Sequence, residues 1–416
     1  MRMFPVTSAA PAARSNQDIA ADFIDLSFRL EDGQPLNGFA RFTGPLTLRL
    51  AGSVPATARH DLATLLARLA TEAGIRITRT AQADAGITIE FLPRRQMQAR
   101  ARDAACFVAP HVGSWSEYRA ARRGDLDWID FLERDRVAIF IPYDVSPQEV
   151  RDCLNEELAQ ALGPLNDLYR LPDSVFNDDN INGILTGFDM LILRTTYAPE
   201  LRPGMSQSAV AAALPAILAR LHPQGQRPGA GISPTPRAYK DAIARALGPG
   251  GSAGGRQAAA RQALAIATSA GWNDARTGYA WLTIGRLSGR DDRDQAFAAF
   301  TNAEAIFQSR GLPLYAAHAD MQLAAFALAN GQWEEVSRIA DRALPTATAA
   351  QNASLMAGLM MMKSEALARL GQPEAAASLL LDSLGWARYG MASDDEVLSR
   401  YGSIAALAAR TEKPAQ

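Results

Sequence analysis

The residues with the most chemical potential are crowded into one stretch, Glu156-Glu157-Leu158-Ala159-Gln160-Ala161-Leu162-Gly163-Pro164-Leu165-Asn166-Asp167. Residues four apart share one face of a helix, so Glu156 and Gln160 are expected to point the same way. Adjacent residues diverge by about 100° around the axis, so Glu156 and Glu157 do not naturally face one substrate as a carboxylate pair. The side-chain oxygens of Glu156, Gln160 and Asn166 suit a hard cation such as Ca²⁺, with Asp167 or the run Asn177-Asp178-Asp179-Asn180 as further ligands. Asn and Asp in such a run are more commonly turn formers. Zinc is a poor expectation, because this donor set holds no imidazole and no thiolate. The expectation is therefore that no cofactor is bound.

The element that must carry these groups is a helix. Ser146-Pro147-Gln148-Glu149 reads as its start, with Ser at the cap, Pro in the first turn and Glu three residues on. It should run to Leu162 and stop at Gly163-Pro164. Upstream, Leu46-Thr47-Leu48-Arg49-Leu50 alternates as a strand, and His60 to Gly74 reads as an amphipathic helix. The segments 75–78, 86–91, 106–109 and 137–141 are short and rich in β-formers. This order predicts an α+β sheet covered by two helices over residues 16–222. Residues 1–15, with scattered Pro, Ala and Ser, read as a disordered arm.

Residues 223–236 have linker composition, and from 237 to 411 the text is Ala- and Leu-rich and helical. A short tail, 412–416, follows. The Gly-rich stretch 248–255 lacks the Lys-Ser/Thr of a phosphate loop and reads as a loop. A period of 40 is visible: Leu287, Ala327 and Leu367 fall in register, as do Ala296, Val336 and Ala376, and Ala303, Ala343 and Ser383. Gly331 and Gly371 mark turns, and small residues in register suit close stacking of helix pairs. With Ala296 and Phe300 four apart, this region resembles tetratricopeptide repeats. That resemblance implies a concave face for a protein or peptide partner, although the period is longer than the usual 34.

The Glu156–Asp167 stretch resembles the zinc site of metzincin metalloproteases, which reads H-E-x-x-H-x-x-G-x-x-H. Glu156, Gln160 and Asn166 stand where the three histidine ligands would be, Glu157 at the general base and Gly163 at the turn. Ser174-Val175-Phe176 is similar to the Ser-x-Met turn beneath the metal, with Phe176 in place of Met. Leu185-Thr186-Gly187-Phe188-Asp189, Leu193 and Tyr197 resemble the closing helix. The scaffold is kept and the ligands are not. Zinc lowers the pKa of its water from 15.7 to about 7, which at about 1.36 kcal/mol per unit is on the order of 12 kcal/mol. A lone general base contributes roughly 3–5 kcal/mol, so Glu157 cannot replace the metal.

The wording of residues 153–163 and 173–180 is also similar to a bacterial family of unknown function, number 2927. That family is grouped with zincin-like peptidases and occurs largely in alphaproteobacteria, often on exported proteins. It implies a zincin-like domain and a periplasmic or envelope location, whereas the N-terminus as written shows no signal peptide and reads as cytoplasmic. If the chain is exported, Cys106 on a predicted strand and Cys153 on the predicted helix are a candidate disulfide.

Composition sets the outer bounds. The 416 residues carry a net charge of -2, with 48% hydrophobic and 21% charged residues, which fits a folded chain of two or three domains. No basic stripe suggests nucleic acid, and no apolar run of about 18 residues suggests a transmembrane segment. Of 42 basic residues only Lys240, Lys363 and Lys413 are lysine. The expectation is a non-catalytic interaction protein built on a metalloprotease-like domain. Its rival is a hydrolase using Glu157 with an oxygen-ligated metal.

Overall fold

The computed structural model describes residues 1–102, 104–289 and 292–409; the expected tail lies outside them. The chain divides into two units, one of Pro5–Val145 with Glu149–Ser233, the other of Met1–Phe4, Ser146–Gln148 and the chain from Pro234 onward.

The first unit is α/β. Helix α1 (Asn16–Ser27) precedes β1 (Arg41–Phe42), β2 (Leu46–Gly52), α2 (Ala56–Arg68), β3 (Ile77–Arg79) and β4 (Ile87–Leu92). After α3 (Arg94–Gln98) come β5 (Phe107–Pro110), α4 (Trp115–Ala120), β6 (Glu133–Arg134) and β7 (Val137–Pro142). Three helices follow: α5 (Pro147–Leu162), α6 (Gly187–Thr196) and α7 (Gln207–Leu221). Five strands form one sheet in the order β3-β2-β4-β7-β5, while β1 and β6 make a separate parallel pair. Within the large sheet only β5 is antiparallel, pairing Phe107 with Phe140 and Val108 with Ile139.

Strand β7 is apolar and buried throughout because helices cover both faces of the sheet there. Val137, Ile139 and Ile141 of β7 point into the main core with Leu48, Ile87, Ile89, Leu154 and Leu158. Ala138 and Phe140, on the alternate face, pack with Met97 and Trp115. The five strands of the large sheet thus lie within two residues of the segments expected for them, whereas β1 and β6 were not expected. Helix α2 begins four residues before His60, directly after Pro55, because Ala56-Thr57-Ala58-Arg59 carries nothing that opposes a helix. The observed sheet is mixed and mostly parallel, where an α+β sheet covered by two helices was expected.

The arm expected to be disordered is held down at Arg14. Its guanidinium bonds the carboxylates of Asp173 at 2.6 Å and Asp22 at 3.0 Å. The middle of the expected linker is also tied: the Gly229 N–H donates to Gln17 and the Ala230 and Gly231 N–H groups to Asp18. Composition marked both stretches as unable to form a core, and neither has one. Local ion pairs and backbone donors hold them instead.

The second unit is all helical from α8 (Arg237–Leu247) and α9 (Ala253–Ser269) to α10 (Ala275–Leu287), α11 (Arg293–Ser309) and α12 (Pro313–Ala329). It continues with α13 (Trp333–Ala349), α14 (Ala353–Arg369), α15 (Pro373–Gly390) and α16 (Asp394–Ala408). The Gly-rich stretch read as a loop is helical from Ala253, because Ser252 caps it by accepting the Gly255 N–H. Consecutive helices pack against one another, and the in-register Ala296, Val336, Ala376, Ala303, Ala343 and Ser383 are all buried. Gly271, Gly311, Gly331, Gln351 and Gly371 all adopt positive φ, the first two a full period apart and the last four half a period apart. At each one the next N–H reaches back to a carbonyl five residues earlier, as Gln332 does to Ala327, closing the last turn of the helix. Phe4 stacks on Trp386 with ring centroids 4.5 Å apart, so the extreme N-terminus is likewise anchored.

Candidate functional site

Helix α5 presents the candidate residues to a cleft of about 620 Å³. It is held against the sheet by Val150, Leu154, Leu158 and Leu162, all buried, and against the segment leading to α6 by Asn155, whose Oδ1 accepts the Leu185 N–H at 3.2 Å. A disulfide joins Cys153 on α5 to Cys106 at the entry of β5, with Cα atoms 6.0 Å apart. Edge strand and helix are therefore tied covalently at one end of the cleft.

Glu156, Glu157 and Gln160 all line the cleft, with Asp167, Leu165 and Trp128. Asn166 does not belong to that lining. Its Nδ2 donates to the Asp25 carbonyl at 2.9 Å, which turns the side chain into the body of the unit. The position expected to carry a third ligand is thus spent on structure, and Asp167 faces the cleft in its stead, 3.4 Å from the Gln160 amide. Gly163 does not adopt a positive φ; what requires glycine there is space, since a Cβ would lie 2.7 Å from Thr196 Cγ2.

The supporting residues form a buried brace. Ser174 Oγ donates to Asp189 at 2.5 Å and accepts the Phe176 N–H at 2.9 Å. Asp189 also accepts from the Val175 N–H and from Thr186. Burial nevertheless pushes its carboxyl up to about 7. Phe176 is fully buried in the core and does not line the cleft. In the run 177–180, Asn177 bonds the Leu171 carbonyl and Asp179, and Asp179 accepts the Ile181 N–H. Those two are turn formers, while Asp178 and Asn180 reach the cleft.

The cleft strongly disfavours negative charge. Burial, then the nearby Glu31, Asp178 and Asp152, push the Glu156 carboxyl up to about 8. Glu157, buried beside Glu156 and Glu31, is raised well above the usual carboxylate range, and Asp167 likewise by burial and by Glu31. Glu157 Oε2 has no hydrogen-bond partner. Burial and the neighbouring acids thus disfavour the charged form of Glu157 that a general base needs.

Zinc does not fit this donor set. Two amides and carboxylates stand where imidazoles are needed, and Asn166 faces away from Glu156 and Gln160. Among the described residues no group of three or more His, Cys, Asp or Glu is arranged to hold a metal ion.

Several contributors were not visible in the sequence. Arg134, only 1% exposed, donates to the carbonyls of Gln160, Ala161 and Gly163 at 2.6–2.8 Å. It neutralises the end of α5 where the chain turns toward Asp167. Its guanidinium lies 5.0 Å from the centroid of the Trp128 ring. Glu31 and Trp128 come from distant loops, with no motif to announce them.

Residues 16–216 match the family described as protein of unknown function (DUF2927). The whole cleft, from Leu30 to Asn180, lies within that segment. No curated protein and no solved structure matches the chain.

Proposed function

We propose that the first unit is a non-catalytic, zincin-like module that binds an extended peptide in its cleft, and that the helical unit is a tetratricopeptide-like platform for a protein partner. The observation that carries the first part is the diversion of Asn166 onto the Asp25 carbonyl. It breaks the ligand geometry that the Glu156–Asn166 spacing would otherwise supply. Burial beside Glu156 disfavours the charged form of Glu157 and so weakens the remaining base. What is left intact is a binding surface: β5 is a sheet edge with Cys106, Phe107 and Val108 in the cleft lining, and an edge strand can pair with an extended chain through its free backbone groups.

The period of the helical unit, its buried small residues and its regular turns support the repeat reading. The Cys106–Cys153 disulfide supports an oxidising location such as the periplasm.

The test combines metal analysis with peptide capture. Protein purified without a metal-affinity tag, with an EDTA-washed control, is expected to carry no stoichiometric metal by mass spectrometry and to retain peptides without cutting them. One equivalent of metal lost in Glu156→Ala, or cleavage abolished in Glu157→Gln, would overturn the proposal in favour of a hydrolase.

A further inference from the structure

The cleft is lined by six carboxylates, Glu31, Asp32, Glu156, Glu157, Asp167 and Asp178, and by no lysine, arginine or histidine among the described residues. An acidic cluster alone could be a solvated surface. Glu157 makes the difference: it is 4% exposed, it faces the cleft, and its Oε2 meets no donor. A buried oxygen of this kind is costly unless a ligand supplies the missing hydrogen bond.

We propose that the cleft takes the guanidinium group of an arginine carried by an extended peptide along β5. This rests on the peptide-binding reading above and names what that peptide must contain. A point cation suits the site poorly, since no three acidic side chains among the described residues converge to hold one ion. A guanidinium spreads one charge over a planar fork of five N–H donors and can serve carboxylates that lie apart. The unit already uses that solution, for Arg14 serves both Asp22 and Asp173 and Arg170 serves both Asp22 and Asp25. Leu30, Val108 and Leu165 in the lining give the methylene stem an apolar wall.

The experiment uses the full, disulfide-intact chain and fluorescein-labelled heptapeptide pools with random flanks lacking Arg, Lys and His. The central residue is arginine, its uncharged isostere citrulline, lysine or leucine, and binding is read by anisotropy. The arginine pool should bind about tenfold tighter than the citrulline pool, and Glu157→Gln should remove most of that preference. Asp178→Asn, at an exposed position, should weaken it in a protein whose melting is unchanged, which covers the case of a Glu157 variant that folds poorly. Equal binding of the arginine and citrulline pools would overturn the charge assignment while leaving peptide binding intact. Lysine binding as tightly as arginine would overturn the guanidinium. No binding by any pool would overturn this inference and the peptide-binding reading together.

Discussion

The Asn166 side chain donates to the Asp25 backbone carbonyl across 2.9 Å. That bond sets the register of the chain after α5, and with it which residue of the pair Asn166 and Asp167 reaches the cleft. If the register is as fixed as the bond implies, zinc should be recoverable with histidines at 156, 160 and 167 and much less so at 156, 160 and 166. The first triple variant is expected to bind zinc about tenfold more tightly than the second, by competition with a chromophoric chelator. Equal affinities would show that the turn rearranges freely.

The Asn166/Asp167 exchange also marks where the sequence stopped being legible. Glu156 and Gln160 were readable as neighbours because a helix enforces their spacing, and both line the cleft. Beyond Gly163 no periodicity operates, so which of two adjacent residues faces inward depends on a carbonyl 141 positions away in sequence. Glu31, Trp128 and Arg134 were hidden for the same reason. The strands were legible from alternation at 46–50 and from short β-rich runs elsewhere, and the helical unit from its 40-residue register. The half-period turns were only half seen: Gly331 and Gly371 are glycines in register, whereas Gln351 adopts the same positive φ without being one.

Burial of acidic groups gives the first unit an unusual pH dependence. Glu156 rises from 4.5 to about 8, and Glu157 and Asp167 are raised as well. The folded state therefore binds these protons more tightly than the unfolded chain, so the stabilisation is complete below about pH 4 and is lost as pH rises toward 8. Each group accounts for at most about 1.4 kcal/mol per pH unit, and solvent screening of the partly exposed Glu156 lowers its share. The melting temperature is expected to fall from about pH 5 to about pH 8 and to fall less steeply in Glu157→Gln. A curve that rises over this window would contradict the buried-acid description.

Removing the disulfide should act on stability and on the cleft at once. Cys106 and Cys153 are 47 positions apart, for which the chain-entropy estimate is about 4 kcal/mol and typical losses are about 2–5 kcal/mol. Urea unfolding of the Cys106→Ser/Cys153→Ser variant should show a lower midpoint at similar slope. Peptide binding should weaken in the same variant below its unfolding midpoint, because β5 is no longer tied to α5. A loss of stability with binding unchanged would separate the bridge from the site.

The turns of the helical unit make a paired prediction. Gly331 has φ 72°, and Gly331→Ala should cost about 1 kcal/mol, because a side chain is strained in that conformation. Gly402 lies inside α16 with nothing within 4 Å of a Cβ, so Gly402→Ala should gain about 0.5–1 kcal/mol from helix propensity. Thermal unfolding of the two variants should move in opposite directions.

Arg134 offers the sharpest test of how α5 is held. Burial lowers its guanidinium to about 10, so it stays charged at neutral pH while donating to three carbonyls at the end of the helix. Arg134→Met keeps the apolar stem but orphans those carbonyls, each worth about 1–3 kcal/mol when buried. A loss on the order of 3 kcal/mol is expected, with only partial rescue by Arg134→Lys, whose ammonium lacks the planar fork. Hydrogen exchange gives the readout that a general packing defect would not. The amides of residues 163–168, leading to Asp167, should exchange faster in Arg134→Met, while those of α12 to α14 keep their protection. Uniform acceleration across both units would mean that Arg134 supports the fold at large and does not specifically set the turn into the cleft.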